Sequence, residues 1–472
     1  MTHDTLTGDP DTLRHLPSVE RVAADPRLAV LQMQPVFLRH AVRHRIAEVR
    51  AAILSGESVA EDDLSEGIIR DILAAFAPVD TRVINATGVL IHTNLGRVSV
   101  SAATATAMAD AAASTVALEV DPKTGQRGNR QRRVSGLLRA LTGSEAALVV
   151  NNNAGAMLLT IAALAAGRDA IVSRGESVEI GGGFRIPDVL RQGGARLVDV
   201  GTTNRTYASD YRDACGETTG LLLKVHMSNF VITGYTHETT VRELAEIGAA
   251  LGIPVLEDQG SGLLYPLDLG TVELGQSLSE CLSDGADIVT ASGDKLLGGP
   301  QCGLILGRTD LVARIARHPI ARAVRVDKVT LAGLEATLRH YLRGEEATAI
   351  PLWRMATTPV VALHCRARAI VAGLDIADST NATATVDVIS TTARFGGGAL
   401  PGQALPSVAI RVRPREGITV DRLATHLRLG QPAVWGRVED GCLLLDLRST
   451  VPENDAGLVE ALRATVRSPL VP

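Results

Sequence analysis

The chain has 472 residues, 46% hydrophobic and 21% charged, with a net charge of −5. At roughly 150 residues per domain this predicts two to four domains, and the balance excludes a polycation or a disordered acidic tail. Its 2 Trp, 5 Tyr and 5 Phe argue against nucleic-acid platforms built on exposed rings.

The longest largely apolar run, residues 154–166, falls short of the roughly 20 residues of a membrane span. The polar, acidic N-terminus has no apolar signal core. Cys215, Cys281, Cys302, Cys365 and Cys442 are scattered, with no Cys-x-x-Cys pair. No disulfide framework or zinc ribbon is expected, and a cytoplasmic location fits best. Lysine chemistry has four candidates: Lys123, Lys224, Lys295 and Lys328.

Residues 1–80 read as an all-helical domain. Leu38, Val42, Val49 and Ile53 share one stripe of a helix over 36–55, with Arg39, Arg43 and Arg50 beside it. A second helix is expected over 61–76, before Pro78. From Arg14 to Arg50, seven arginines face Glu20, Asp25 and Glu48, a local charge of +4 in an acidic chain. A solvated helix face and a phosphate-backbone footprint both fit this charge, and charge alone favours the former.

Residues 81–335 alternate short β-rich runs (146–150, 170–173, 196–200, 221–225, 253–257, 288–291 and 303–306) with helical ones. That pattern predicts an α/β domain with a mostly parallel seven-stranded sheet, whose ligands gather at the strands' carboxyl ends. Residues 336–472 read as a smaller α+β domain.

Three segments sit at such strand ends. After Val149-Val150 come Asn151, Asn152 and Asn153, then Ala154 and Gly155. Asn153 is the expected N-cap, and the small residues let an anion approach a helix N-terminus. Asp258 follows an apolar run. Lys295 follows another, in Ser292-Gly-Asp-Lys-Leu-Leu-Gly-Gly-Pro300, where burial would free its amine for a Schiff base. Each alone has a bland reading: an ordinary turn, a solvated acid, a surface lysine. Anion cradle, acid and lysine in that order match the logic of a pyridoxal-phosphate enzyme, with Asp258 holding the ring nitrogen protonated.

At these residues the sequence resembles the bacterial selenocysteine synthases, the L-seryl-tRNA(Sec) selenium transferases, over nearly its whole length. The specific stretches are 16–20, Ile84-Asn-Ala-Thr-Gly-Val-Leu-Ile-His-Thr-Asn-Leu-Gly-Arg97, Gly128-Asn-Arg-Gln-Arg-Arg133, 179–187, 292–301 and Ala321-Arg-Ala-Val-Arg-Val-Asp-Lys328. The resemblance implies a fold-type-I enzyme with a tRNA-binding helical N-terminal domain, assembled from dimers into a homodecamer. It implies conversion of seryl-tRNA(Sec) to selenocysteinyl-tRNA(Sec) with selenophosphate, through loss of the seryl hydroxyl to an aminoacrylyl-tRNA and addition of selenium.

It further implies that Lys295 carries pyridoxal phosphate and acts as base. Asp258, Asn153, Ala154, Gly155, Ser292 and His226 would bind the cofactor. Asp294 is a candidate proton donor, with a plain turn role nearly as good. Arg97, Arg322 and Arg325 would hold the selenium donor, the last two on one face if their segment is helical. Glu176, Ser177 and His226 are candidates to stack on the ring, and Arg448 is a weak candidate for the substrate. The sequence departs from the expected pattern at Gly155, where Ala is expected, and at Cys302, where a small residue is. Two rivals are a related lyase acting on a free amino acid or amino-sugar acid, which would not need residues 1–80, and a silent tRNA-binding scaffold, which would not need Asp258 and Lys295.

Overall fold

A computed structural model describes residues 5–6, 12–56, 59–60, 64–76, 82–181, 183–268, 273–374 and 383–467. The chain divides into two compact units, Met1–Arg82 and Val83–Pro472.

Helices dominate the first unit: α1 (Val19–Ala23), α2 (Pro35–Leu54) and α3 (Leu64–Phe76). Pro35 opens α2 at a position where its missing N–H has no helical partner to lose. Val42, Ile46, Val49 and Ile53 recur at helical spacing and pack with Ile68, Ile69 and Ile72 of α3. One feature departs from the all-helical expectation: Thr5–Leu6 pairs antiparallel with Val59–Ala60. The expected start of the second helix, 61–63, lies outside the described residues.

The second unit is built on seven strands: β1 (Ala146–Val150), β2 (Asp169–Ser173), β3 (Arg196–Val200), β4 (Thr219–Val225), β5 (Val255–Gly260), β6 (Ile288–Ser292) and β7 (Gly303–Gly307). Their order is β1–β7–β6–β5–β4–β2–β3. Only β7 runs against its neighbours, β6 and β1. Strands β4 to β7 are buried almost throughout, as strands covered on both faces are. Their side chains divide between separate cores on the two faces of the sheet.

Two helices matter for the site. Helix α4 (Asn153–Leu164) starts directly after β1, and α5 (Lys328–Leu342) packs against Ala102–Ala113 through the buried pair Thr337–Thr104, 2.9 Å apart. A second, antiparallel sheet follows: β8 (Ala384–Arg394), β9 (Ala404–Pro414), β10 (Arg437–Glu439) and β11 (Cys442–Asp446), ordered β8–β9–β11–β10. Three helices, Val360–Ala372, Val420–Leu429 and Asp455–Arg467, cover the core face of this sheet. Val83–Asn85 pairs in parallel with Ala433–Trp435, so both ends of the unit meet here.

No helix among the described residues is long and apolar enough to cross a membrane.

Candidate active site at the carboxyl ends of the central strands

The register of β5 and β6 places Asp258 opposite Thr290. Asp258 lies inside strand β5, not beyond its end as expected, and is only 3% exposed. Asn153 Nδ2 donates to its Oδ1 at 2.8 Å and Thr290 Oγ1 to the same oxygen at 3.2 Å. Oδ2 accepts no hydrogen bond among the described residues. Burial raises the pKa of this acid, so a cationic neighbour is needed to keep it ionised.

The turn after β1 differs from the sequence reading. Asn152, not Asn153, caps α4, its Oδ1 accepting from Gly155 N at 2.7 Å. Asn153 is thereby freed to grip Asp258, and its own Oδ1 is buried without a partner. The N–H groups of Asn153 and Ala154 remain for an anion at the helix start. A Cβ at Gly155 would lie 2.9 Å from Asn151 Oδ1 and 3.2 Å from Val324 Cγ1, so the expected Ala would need these two side chains to shift.

Lys295 follows β6 in a tight turn and is 6% exposed. Its amine forms no hydrogen bond among the described residues. Burial lowers its pKa to about 8, with Arg97 pushing the same way and Asp258 and Asp294 opposing. Gly398, in the connection between β8 and β9, sits against it at φ +84°, where a Cβ would be 2.9 Å from Nζ. Gly398 N donates to Ser228 O at 2.9 Å, and the Ser228 hydroxyl is buried without a partner. Ser292, the last residue of β6, is buried, and Cys302 supports the lysine turn where Gly293 N donates to its carbonyl at 2.9 Å.

His226 follows β4. Its N–H donates to Asp258 O at 3.0 Å, its ring Nε2 lies 3.4 Å from Ala399 O, and burial lowers its pKa. Glu176 is not available to stack on a ring: its carboxylate pairs with Lys224 Nζ at 2.6 Å and accepts from Val225 N at 2.8 Å.

Arg97 pairs with Asp294 at 2.9 Å, and its Nη1 is buried without a hydrogen bond. Arg322 and Arg325 do not share a helix face. The helix Ile320–Ala323 ends before Arg325, which forms a β-bridge with Val150 while Val324 O accepts from Asn151 N at 2.9 Å. Both arginines line one cavity beside the end of β1, and Arg97 is not among its walls. Arg448 is committed to the fold: Nε donates to Pro406 O at 2.7 Å and Nη1 to Met355, Ala356 and Thr358 carbonyls at 2.9–3.1 Å.

The profile of the L-seryl-tRNA selenium transferase family matches residues 83–451. The chain belongs to this family. The L-seryl-tRNA(Sec) selenium transferase of Moorella thermoacetica is 46% identical over 454 residues, covering 95% of this chain and 96% of that protein. That of Geobacter sulfurreducens is 44% identical over 458 residues, covering 95% and 98%. Among solved structures, D-glucosaminate-6-phosphate ammonia-lyase superposes with a TM-score of 0.55 at 24% identity, over 81% of this chain and 95% of that one. This last likeness concerns the fold, which is the expected fold type I.

Thr290, Ser228 and Gly398 escaped the sequence reading. A hydroxyl in the middle of the apolar run of β6 signalled Thr290, since a buried polar group needs a partner. Nothing local signals Ser228 or Gly398, whose place depends on contact between distant segments.

Proposed function

We propose that the enzyme converts L-seryl-tRNA(Sec) to L-selenocysteinyl-tRNA(Sec) with selenophosphate, using pyridoxal phosphate bound at Lys295. One arrangement carries this reading. A buried lysine without hydrogen bonds and a buried aspartate with one unused oxygen lie at the carboxyl ends of adjacent strands, beside a helix N-terminus with free N–H groups. These residues suit the cofactor: the N–H groups of Asn153 and Ala154 would hold its phosphate beside Gly155, Asp258 Oδ2 its ring nitrogen, and Ser292 and His226 would flank it. The unpartnered Asn153 Oδ1 and Ser228 Oγ are polar atoms that such a ligand can satisfy.

When bound, the cofactor supplies an electron sink for charge developing at the seryl Cα. The Lys295 amine, with a pKa of about 8, takes the Cα proton. Asp294, held by Arg97 beside that amine, would relay the proton from Lys295 to the departing hydroxyl. Arg322 and Arg325 bind the phosphate of the selenium donor by charge-assisted hydrogen bonds, and Arg97, outside their cavity, supplies a cation beside Lys295 for the selenium-addition step.

The first unit supplies tRNA affinity. Arg27 and Arg45 are bound to acids of their own unit, whereas Arg39, Arg43 and Arg50 line α2 exposed and without ion pairs among the described residues. Assembly from dimers into a decamer, and a cytoplasmic location, belong to the same reading. The test is direct: purified enzyme, pyridoxal phosphate, seryl-tRNA(Sec) and selenophosphate should yield selenocysteinyl-tRNA(Sec). Deleting residues 1–82 should abolish tRNA binding and leave the cofactor's absorbance. Unchanged seryl-tRNA in the full reaction would refute the function.

A further inference from the structure

A cavity of about 600 Å³ opens beside the end of β1, its walls including Arg127, Arg130, Arg317, His318, Arg322 and Arg325. Glu119 is the carboxylate among them. It is already bonded to Arg130, which also donates to Val326 O at 3.1 Å, so that arginine is held by the fold. The others are loosely engaged. Arg325 lies 3.5 Å from Glu119, and Arg127 lies 3.2 Å from it with 84% of its side chain exposed. Among the described residues Arg317 donates only through Nε, to Ala313 O of its own helix. The Arg322 guanidinium has no partner among the described residues.

This is more cation than one phosphate-sized anion uses, since two guanidinium groups binding in bidentate fashion already match a phosphate. The cavity is also joined to the catalytic turn. Val150 bridges Arg325 and Asn151 bonds Val324, two residues before Asn153 grips Asp258. A seryl group esterified to the last ribose of a tRNA reaches Lys295 only if the preceding phosphodiesters lie at the mouth of the site. Each brings a negative charge to be met.

We propose that two exposed arginines of this cavity, Arg127 and Arg317, form a rim that binds the phosphodiester backbone of the unpaired 3′ end of seryl-tRNA, leaving Arg322 and Arg325 for the small anion. This rests on the function proposed above. It divides one arginine cluster between two substrates: the rim reads the RNA backbone, Arg322 and Arg325 the selenium donor. Neither rim arginine touches the catalytic groups, and both are exposed, so their removal leaves the fold and the cofactor absorbance intact.

The experiment measures binding of seryl-tRNA(Sec), and of the same tRNA lacking its last three nucleotides, to the full-length holoenzyme between 50 and 200 mM salt. Arg127→Ala combined with Arg317→Ala should lower the log–log salt slope for intact tRNA by about two units, one per arginine. The shortened tRNA should bind parent and variant alike, and the selenophosphate requirement should be unchanged. A parental slope in the variant, an equal loss with shortened tRNA, or a raised selenophosphate requirement with tRNA affinity intact would each overturn the assignment. If the parent converts seryl-tRNA and the variant keeps its slope, only the rim assignment fails. If the parent leaves seryl-tRNA unchanged, the function fails and the rim with it.

Discussion

Arg97 meets Asp294 in a 2.9 Å ion pair one residue before Lys295. Its backbone is left-handed, with φ of +67°, a conformation that costs an L-residue about 1–2 kcal/mol. That strain sits beside the lysine, where it holds a cation and an anion next to one amine and sets them against each other.

The opposition gives a signed test. Arg97 lowers the Lys295 pKa and Asp294 raises it. The amine must be neutral to react with an aldehyde, so cofactor-free enzyme should capture pyridoxal phosphate faster as pH rises, with a midpoint near 8. Arg97→Gln should move that midpoint up and Asp294→Asn should move it down. Stopped-flow absorbance reads both, and shifts in the same direction would contradict the geometry. Borohydride reduction should tag Lys295; a tag on Lys123, Lys224 or Lys328 would displace it as the cofactor lysine.

Arg325→Ala should act on the donor half of the reaction. Losing a charge-assisted hydrogen bond costs about 1.5–3 kcal/mol, roughly a ten- to hundredfold loss in selenium addition. The selenophosphate requirement should rise while release of the seryl hydroxyl continues. Isotope exchange at the seryl Cα separates the two halves, and loss of exchange would move Arg325 to the tRNA or cofactor side.

Much of the central sheet was legible because buried parallel strands leave continuous apolar runs, which no surface segment imitates. Asp258 and Lys295 stood out as charges at the ends of such runs. What was not legible depended on partners far along the chain. Three consecutive asparagines are equivalent as caps, and Asp258, 105 residues away, decides that Asn153 turns inward while Asn152 caps. The helical spacing of Arg322 and Arg325 misled because Asn151 and Val150 capture the backbone of residues 324 and 325. Lys224 is hidden within the run of β4, its charge met by Glu176 from another loop.

Glu257 provides a stability test. It points to the opposite face of β5 from Asp258, beside Lys224 in the register and near Cys281, and its Oε2 is buried without a partner. Burial raises its pKa from 4.5 to about 7. Between those values the unfolded chain loses a proton that the folded chain keeps, so stability falls as pH rises and the loss is complete above about 7. Glu257→Gln should stabilise by up to about 3 kcal/mol at pH 8 and by almost nothing at pH 4.5. Denaturation midpoints at the two pH values check this; an equal effect at both would mean the carboxyl is not buried as described.

Arg448 should prove structural. Arg448→Met would leave Pro406, Met355, Ala356 and Thr358 carbonyls unsatisfied, costing at least about 3 kcal/mol. The denaturation midpoint should fall while the KM for seryl-tRNA is kept by the folded fraction. Parental stability with a raised KM would return this residue to the substrate.

Gly398 belongs to the hairpin connection of the small antiparallel sheet, yet it lies against the amine of the large one. The antiparallel sheet has a core of its own, yet Ala393 and Leu405 from its strands and Phe395 from their connection pack into a core of the large sheet. A packing defect among Val408, Ile410 or Leu443, far along the chain from Lys295, therefore shifts the ceiling above the lysine. Such a variant would be mistaken in an activity screen for an active-site lesion, although every catalytic side chain is intact.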